Sequence, residues 1–286
     1  MSLHIAGAVV THHGVANNNR GENEGNITTL QKLLWSGRVH TTVSAEAIRW
    51  AIRYRWQIKG ATVRREWNDE EEDYQESMDF NPETYLDDDV MGYMLAEGAK
   101  TEAGEEKGKT TKRRGVLEVT RAVSLTPYAG DITFNAKAGT KGKTSLYGAE
   151  IHATRFQYGF AMTPERLYKK ARSVDALQAI LALGEVAGNH SRYLYDFSPE
   201  SIAIRIGQDP SPRLLYCYEQ DGEEVTAPKL LRAVQVGDIA PGELIVGGAL
   251  ADTATGEALK EAGVELHRGV RAAGDAALAR LREELG

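Results

Sequence analysis

The sequence predicts an α+β fold built on a ferredoxin-like β-α-β-β-α-β core. Three observations carry that prediction. Two stretches, 44–56 and 173–183, place apolar residues at helical spacing. Short β-branched and aromatic runs surround them, in the order strand, helix, strand, strand, helix, strand. The interruption of that order, Ala61 to Arg114, is dense in charge and reads as an insertion rather than as part of the core.

Leu3 to Val10 reads as a buried strand, carrying Leu3, Ile5, Ala8, Val9 and Val10. Thr11 to Ile27 is nearly devoid of apolar residues and rich in Asn, Gly and charge, so it is a loop. Thr28 or Thr29 is placed to cap a short helix through Leu30, Leu33 and Leu34 that stops at Gly37. Ser44 opens the first strong helix. Its hydroxyl can cap the first turn, and Glu46 suits the positive end of the helix dipole. Ala47, Ile48, Ala51, Ile52 and Trp56 mark the apolar face, Arg49, Arg53 and Arg55 project elsewhere, and Gly60 ends the pattern.

Within the insertion, a short helix is expected around Asp89 to Ala96. Gly98 to Arg114 has no apolar residue beyond two alanines, and mobility is expected there. Val116 to Leu125 alternates as a strand. Thr126 to Thr144 is turn-rich, and strand character returns from Ser145 to Met162. Ser173 is expected to cap the second helix, with Val174, Leu177, Ile180, Leu181 and Leu183 on its apolar face and Gly188 at its end. Ser201 to Ile206 follows as a β-branched strand. Further extended stretches are expected at Arg213 to Glu219 and Glu243 to Val246, with a hairpin at Gln220-Asp221-Gly222. A C-terminal amphipathic helix carries Val270, Leu278, Leu281 and Leu285.

Composition bounds the function classes. A chain of 286 residues with 42% apolar content fits one elaborated domain. Its longest apolar runs, such as 179–183, are far too short to span a bilayer, and the start lacks a signal-peptide pattern. The lone Cys217 allows no internal disulfide. A cytoplasmic protein with no membrane partner is therefore expected. Net charge is −7, which by itself argues against a nucleic-acid binder. However, Glu66 to Val90 holds twelve carboxylates and no Lys or Arg, and setting these aside turns the rest of the chain to +5. Screening over about 8–10 Å lets both signs coexist on separate surfaces.

Several groups are candidates for binding. The loop from Val15 to Asn26 offers the amides of Asn17, Asn18, Asn19 and Asn26 and the planar fork of Arg20, beside Gly21 and Gly25. It fits contact with ribose, phosphate or base edges, and equally a solvated loop with local Asn turns. Arg49 and Arg53 fit a phosphate track or a solvated helix face. Lys137, Lys141 and Lys143 lie on a segment with little to bury, which suits a partner. Tyr147, Phe156, Tyr158 and Phe160 fit base stacking or a strand core. His190, past the second helix, fits a phosphate contact or a helix terminus. The adjacent His12-His13 pair lacks zinc spacing. Asp87-Asp88-Asp89 fits a divalent cation or the first turn of a helix. Neither a Walker loop, a G-x-S-x-G elbow nor a Cys/His dyad is present, so no catalytic residue, metal or cofactor is assigned.

Longer motifs carry a resemblance. They are Leu3-His4-Ile5-Ala6-Gly7 with His13-Gly14, Asn19 to Leu33, His40 to Arg49, Arg155 to Phe160 and Gly188 to Phe197. Together they resemble the DevR-type, type I-B branch of the seventh CRISPR-associated (Cas) family, over most of the chain up to Ile206. That resemblance implies a non-catalytic backbone subunit of a Cascade complex in antiviral defence. It implies an RRM-like palm at 1–58 and 114–286, an inserted finger at 59–113 and a thumb hairpin at 126–148. Copies of such subunits stack head to tail into a helical filament along a guide RNA (crRNA). The implied partners are that RNA, the target DNA strand, other copies of the chain and other Cascade subunits. Two alternatives remain: a metal-dependent endoribonuclease of the type III backbone kind, for which Asp89 and Asp131 are the acids to test, and a DNA-binding autoregulator.

Overall fold

The computed structural model describes residues 2–17, 23–71, 73–96, 110–137, 145–187 and 194–286. They form a mixed α+β structure around a nine-stranded sheet, with six α-helices among the described residues. The sheet runs Glu265–His267, Leu244–Gly248, Pro199–Gly207, His4–Thr11, Phe156–Met162, Ala122–Ser124, Arg38–Val43, Lys32–Trp35, and Glu118–Val119 also pairs with Phe156–Met162. The opening strand sits between Phe156–Met162 and Pro199–Gly207, antiparallel to both.

Alternation along these strands splits the interior into two layers. On one face Ile5, Val9, Phe156, Tyr158, Phe160, Ile202 and Ile204 pack against α1 (Ala45–Ile58), α3 (Arg172–Leu181) and α6 (Val270–Leu285). On the other, Ala6, Ala8, Val10 and Ala203 meet Leu214, Tyr218 and Leu230 of α4 (Pro228–Gln235) and Leu259 of α5 (Ala254–Glu261). The first helix forms as expected: the Ser44 side chain accepts from Ala47 N, and Ile48, Ala51, Ile52 and Trp56 are buried.

Five expectations are corrected. Residues 32–35 are a strand, because Ser36 and Gly37 take positive φ (48° and 78°) and turn the chain into a hairpin with Arg38–Val43. The helix placed at 89–96 is α2, Leu86–Met91, followed by the strand Gly92–Ala96. Gly92 has φ 67°, and a Cβ there would lie 2.3 Å from Arg113 O, so close pairing with Thr110–Arg114 displaces the helix. Ser173 does not cap α3, which starts at Arg172; the Ser173 hydroxyl donates to Lys170 O instead, and the helix stops at Leu181, short of Gly188. The strand read as Val116–Leu125 is broken, because Thr120 Oγ1 accepts from Gly159 N at 2.9 Å and interrupts the ladder. Arg213 to Glu219 contains a turn, with φ near 55° at Arg213 and Tyr216, before the hairpin Glu219–Asp221/Glu224–Thr226. The run expected to be mobile falls largely on 97–109, outside the described residues.

Candidate nucleic-acid interface

The described end of the Asn-rich loop, 23–28, and the strands of the hairpin belong to one sheet. Ile132–Lys137 pairs with Ser145–Glu150, which pairs in parallel with Ile27–Thr28, which pairs with Asn23–Glu24. More than a hundred residues of chain separate loop and hairpin, so their pairing is a tertiary feature with no local signal.

Glu150 fastens this sheet at its root. One carboxylate oxygen accepts from Leu30 N and lies 2.7 Å from Lys32 Nζ, and the other accepts from the same ammonium. The Glu150 carbonyl accepts from Asn17 Nδ2 at 2.7 Å. Gly148 N donates to Asn26 O at 2.8 Å, and Ile27 leaves Gly148 little room for a larger residue. Lys32 also stands over the Tyr128 ring. Burial, reinforced by the Glu150 charge, pushes the Tyr128 phenol well above its ordinary range.

Cross-strand register places Ile132, Phe134, Ala136 and Leu146 on one face of the hairpin. Phe134 is 79% exposed and Leu146 66%, so this is an apolar face in water. A buried polar cluster sits beneath the hairpin's stem. Thr41 Oγ1 and His152 Nδ1 lie 2.7 Å apart, Thr126 Oγ1 and His152 Nε2 3.3 Å apart, and His40 Nδ1 donates to Ser124 O at 2.7 Å. Burial lowers the His152 pKa to about 4, so its imidazole is neutral near pH 7.

The candidate residues divide. Asn26 is exposed at the tip of the 23–28 turn, beside the hairpin. The backbone of Lys137 closes the hairpin's first strand. Asn18, Asn19, Arg20, Lys141, Lys143 and His190 lie outside the described residues. Asn17 is corrected from a surface contact to a buried strut, because its amide is committed to Glu150. Arg49 and Arg53 do not form an outward phosphate track. Arg49 donates to Leu117 O and Met91 O, and burial, then the Arg53 charge, lowers its pKa from the ordinary value. Arg53 Nε lies 2.9 Å from Asp87 Oδ2, and its Nη1 reaches Glu76. Among the aromatic candidates, Phe156, Tyr158 and Phe160 are core, each at most 1% exposed, while Tyr147 is partly exposed on the hairpin.

Asp87, Asp88 and Asp89 are wholly buried in α2, and every carboxylate oxygen is engaged. Asp87 accepts from Arg64 N and pairs with Arg53. Asp88 accepts from Arg64 Nε and Asn81 N. Asp89 takes Arg113, Arg172 and the backbone amides of Tyr168 and Lys169. These oxygens are spent on arginines and amides, which explains the triplet without a cation. The arrangement ties the insertion to α1 and α3, and sequence spacing gave no sign of it.

No family model matches the chain. A curated relative, CRISPR-associated protein Cas7/Cst2/DevR of Myxococcus xanthus (strain DK1622), is 49% identical over 302 residues, covering 98% of each chain. Among solved structures, a chain of a "CRISPR RNA-guided surveillance complex, pre-nicking" superposes with a TM-score of 0.64 at 12% identity, covering 97% of this chain and 100% of that one. A chain of a second CRISPR RNA-guided surveillance complex gives 0.60 at 16% identity, covering 98% and 99%. The solved chains establish the shared fold, and the DevR element of the relative's name agrees with the motifs. With near-half identity along almost its full length, the chain belongs to the Cas7/Cst2/DevR family of CRISPR-associated proteins.

Proposed function

We propose that this protein is a non-catalytic backbone subunit of a type I CRISPR surveillance (Cascade) complex, one that grips guide RNA and presents it to a target DNA strand. The palm is 1–58 and 114–286, the finger 59–113 and the thumb 126–148. The strand order around His4–Thr11, with α1 and α3 on one face, supports an RRM-like palm. The single observation that carries the reading is the sheet joining the Asn-rich loop to the thumb hairpin. It sets the exposed Asn26 beside a hairpin that carries an exposed Phe134 and whose first strand ends at Lys137, which supports this reading.

Such a site holds a polynucleotide by its phosphates and ribose without reading its letters, leaving sequence to base pairing. Phe134 is suited to wedge between successive bases, since aromatic faces stack on any base. Copies placed head to tail, without closing into a ring, would extend the grip along one guide. Other subunits of the complex would cap that array, in the cytoplasm. Among the described residues no helix is long and apolar enough to cross a membrane.

The test is purification of the full chain from cells expressing a guide RNA, followed by nucleic-acid extraction and negative-stain microscopy. Protected RNA and filaments whose length follows the RNA are expected. Protein free of RNA, and unchanged in particle length on adding RNA, would contradict the reading. Incubating labelled target RNA with magnesium addresses the endoribonuclease alternative: no cleavage is expected, and cleavage lost in Asp131→Asn would support the alternative.

A further inference from the structure

We propose that the groove lined by the paired rings of Trp35 and Tyr216 takes one unstacked base of single-stranded RNA against that aromatic wall, separate from the loop–thumb sheet. The proposal rests on the RNA-binding reading above and adds a site to it.

The argument starts from the sheet's second face. In RNA-recognition modules, bases stack on the sheet face that the helices leave free. Here the chain covers most of that face itself, with Leu214, Tyr218, α4 and α5 packed on Ala6, Ala8, Val10 and Ala203. The cover stops at the outer hairpin, 32–43. Between the two lies a groove of about 590 Å³ that reaches Leu125 and Pro127 at the root of the thumb. It is therefore a part of this face open to a polynucleotide, and at Pro127 it meets the proposed RNA path.

The groove has walls suited to a base. In the hairpin register Trp35 lies opposite Arg38 and Leu33 opposite His40, so Trp35, Arg38 and His40 share a face. The Trp35 and Tyr216 rings stand 4.9 Å apart, inclined at 53°. Tyr216 is held in place: its hydroxyl donates to Arg121 O at 2.8 Å, and its backbone adopts φ 53°, an unfavourable conformation for a tyrosine. The next segment is fixed by Gln157, whose amide accepts from Tyr218 N and donates to Tyr218 O. Tyr216, fixed by that hydrogen bond and backbone and packed against Trp35, makes a preorganised stacking surface.

Polar groups complete it. His40 donates through Nδ1 to Ser124 O, which can only accept, so the ring proton sits on Nδ1. Among the described residues no hydrogen bond engages His40 Nε2, and the residue lines the groove, so a lone pair is available to a base amino or imino group. Arg38 is exposed at the rim for the flanking phosphate. Lys229 is also there, but Glu219 lies 3.3 Å from its Nζ, which leaves Arg38 as the main cation. Stacking thus dominates over charge in this groove, which distinguishes it from the thumb.

The experiment measures binding of the full chain to a fluorescent oligouridylate and to the same ribose-phosphate chain lacking bases. Trp35→Ala, Trp35→Phe and the wild type are compared, each checked for an unchanged melting temperature. Expected is a loss of about tenfold or more for Trp35→Ala on the base-bearing strand, as for other base–aromatic contacts. Trp35→Phe should recover most of it. The abasic strand should be indifferent to the substitution, and the salt dependence should stay unchanged because no cation is removed. Equal binding by Trp35→Ala and wild type, or an equal loss on the abasic strand, would overturn the pocket while leaving the thumb reading intact. Failure of wild-type protein to bind either strand would overturn both.

Discussion

Buried polar side chains carry the clearest consequences of single substitutions. Asp89 neutralises Arg113 and Arg172 at a fully buried position. Removing one partner of such an arrangement leaves uncompensated charge, so Asp89→Ala should cost on the order of 3–5 kcal/mol in urea unfolding. Arg53→Ala should likewise lower stability while leaving the salt dependence of RNA binding unchanged, because its guanidinium faces Asp87 and Glu76. His152 sets a pH response. Its pKa falls from 6.5 to about 4 on burial, so the unfolded chain binds the proton more readily. Its stabilising contribution is complete above about pH 6.5 and is lost as pH falls toward 4, up to roughly 3 kcal/mol. Melting curves between pH 7.5 and 4.5 should show that loss reduced in His152→Gln. Residue roles were the least legible level in the sequence. Arg49 and Arg53 carry the chemistry of a phosphate track, but their partners lie 23 to 68 residues away, and only the folded chain brings those groups together. The aspartate triplet was likewise legible as helix-start acid, but not as the hub of four arginines.

Among elements, those with a strong local signal formed where they were expected: the first strand, α1, the strand through 201–206, the Gly222 hairpin and the C-terminal helix. Errors arose where one positive-φ residue or a strand partner outweighed local periodicity. Ser36-Gly37 turned a leucine-rich run into a hairpin, and Gly92 ended α2 to begin a strand. The loop–thumb sheet shows the same effect at long range, since Gly148 and Ile27 pair only through tertiary structure. Glu150 is its fastening, so Glu150→Ala should raise hydrogen exchange at the Gly148 amide about tenfold, the order expected for a charge-assisted bond. Exchange in the central strand His4–Thr11 should not change. Equal acceleration in both places would show that Glu150 supports the whole fold rather than the thumb.

For the whole molecule, the sequence suggested an anionic insertion set apart from a cationic remainder. The structure qualifies that division. Asp87, Asp88, Asp89 and Glu76 are matched by Arg53, Arg64, Arg113 and Arg172, of which Arg53 and Arg172 come from outside the insertion. Part of the acidic block therefore joins the insertion to α1 and α3, while Glu66, Asp69, Glu70, Glu71, Asp79 and Glu83 are exposed. The proposed function assigns the grip on a polyanion to Lys137, Lys141 and Lys143 of the thumb. That assignment is tested most directly by RNA affinity as a function of salt, for the full chain and for Lys137→Glu/Lys141→Glu/Lys143→Glu, on oligoribonucleotides of unrelated sequence. Log affinity should fall linearly with log salt, alike for every sequence, and the triple variant should lose roughly two units of slope, about 0.7 per lysine. An unaltered slope in the variant, or affinity that follows base sequence, would contradict a thumb that grips the guide by its backbone.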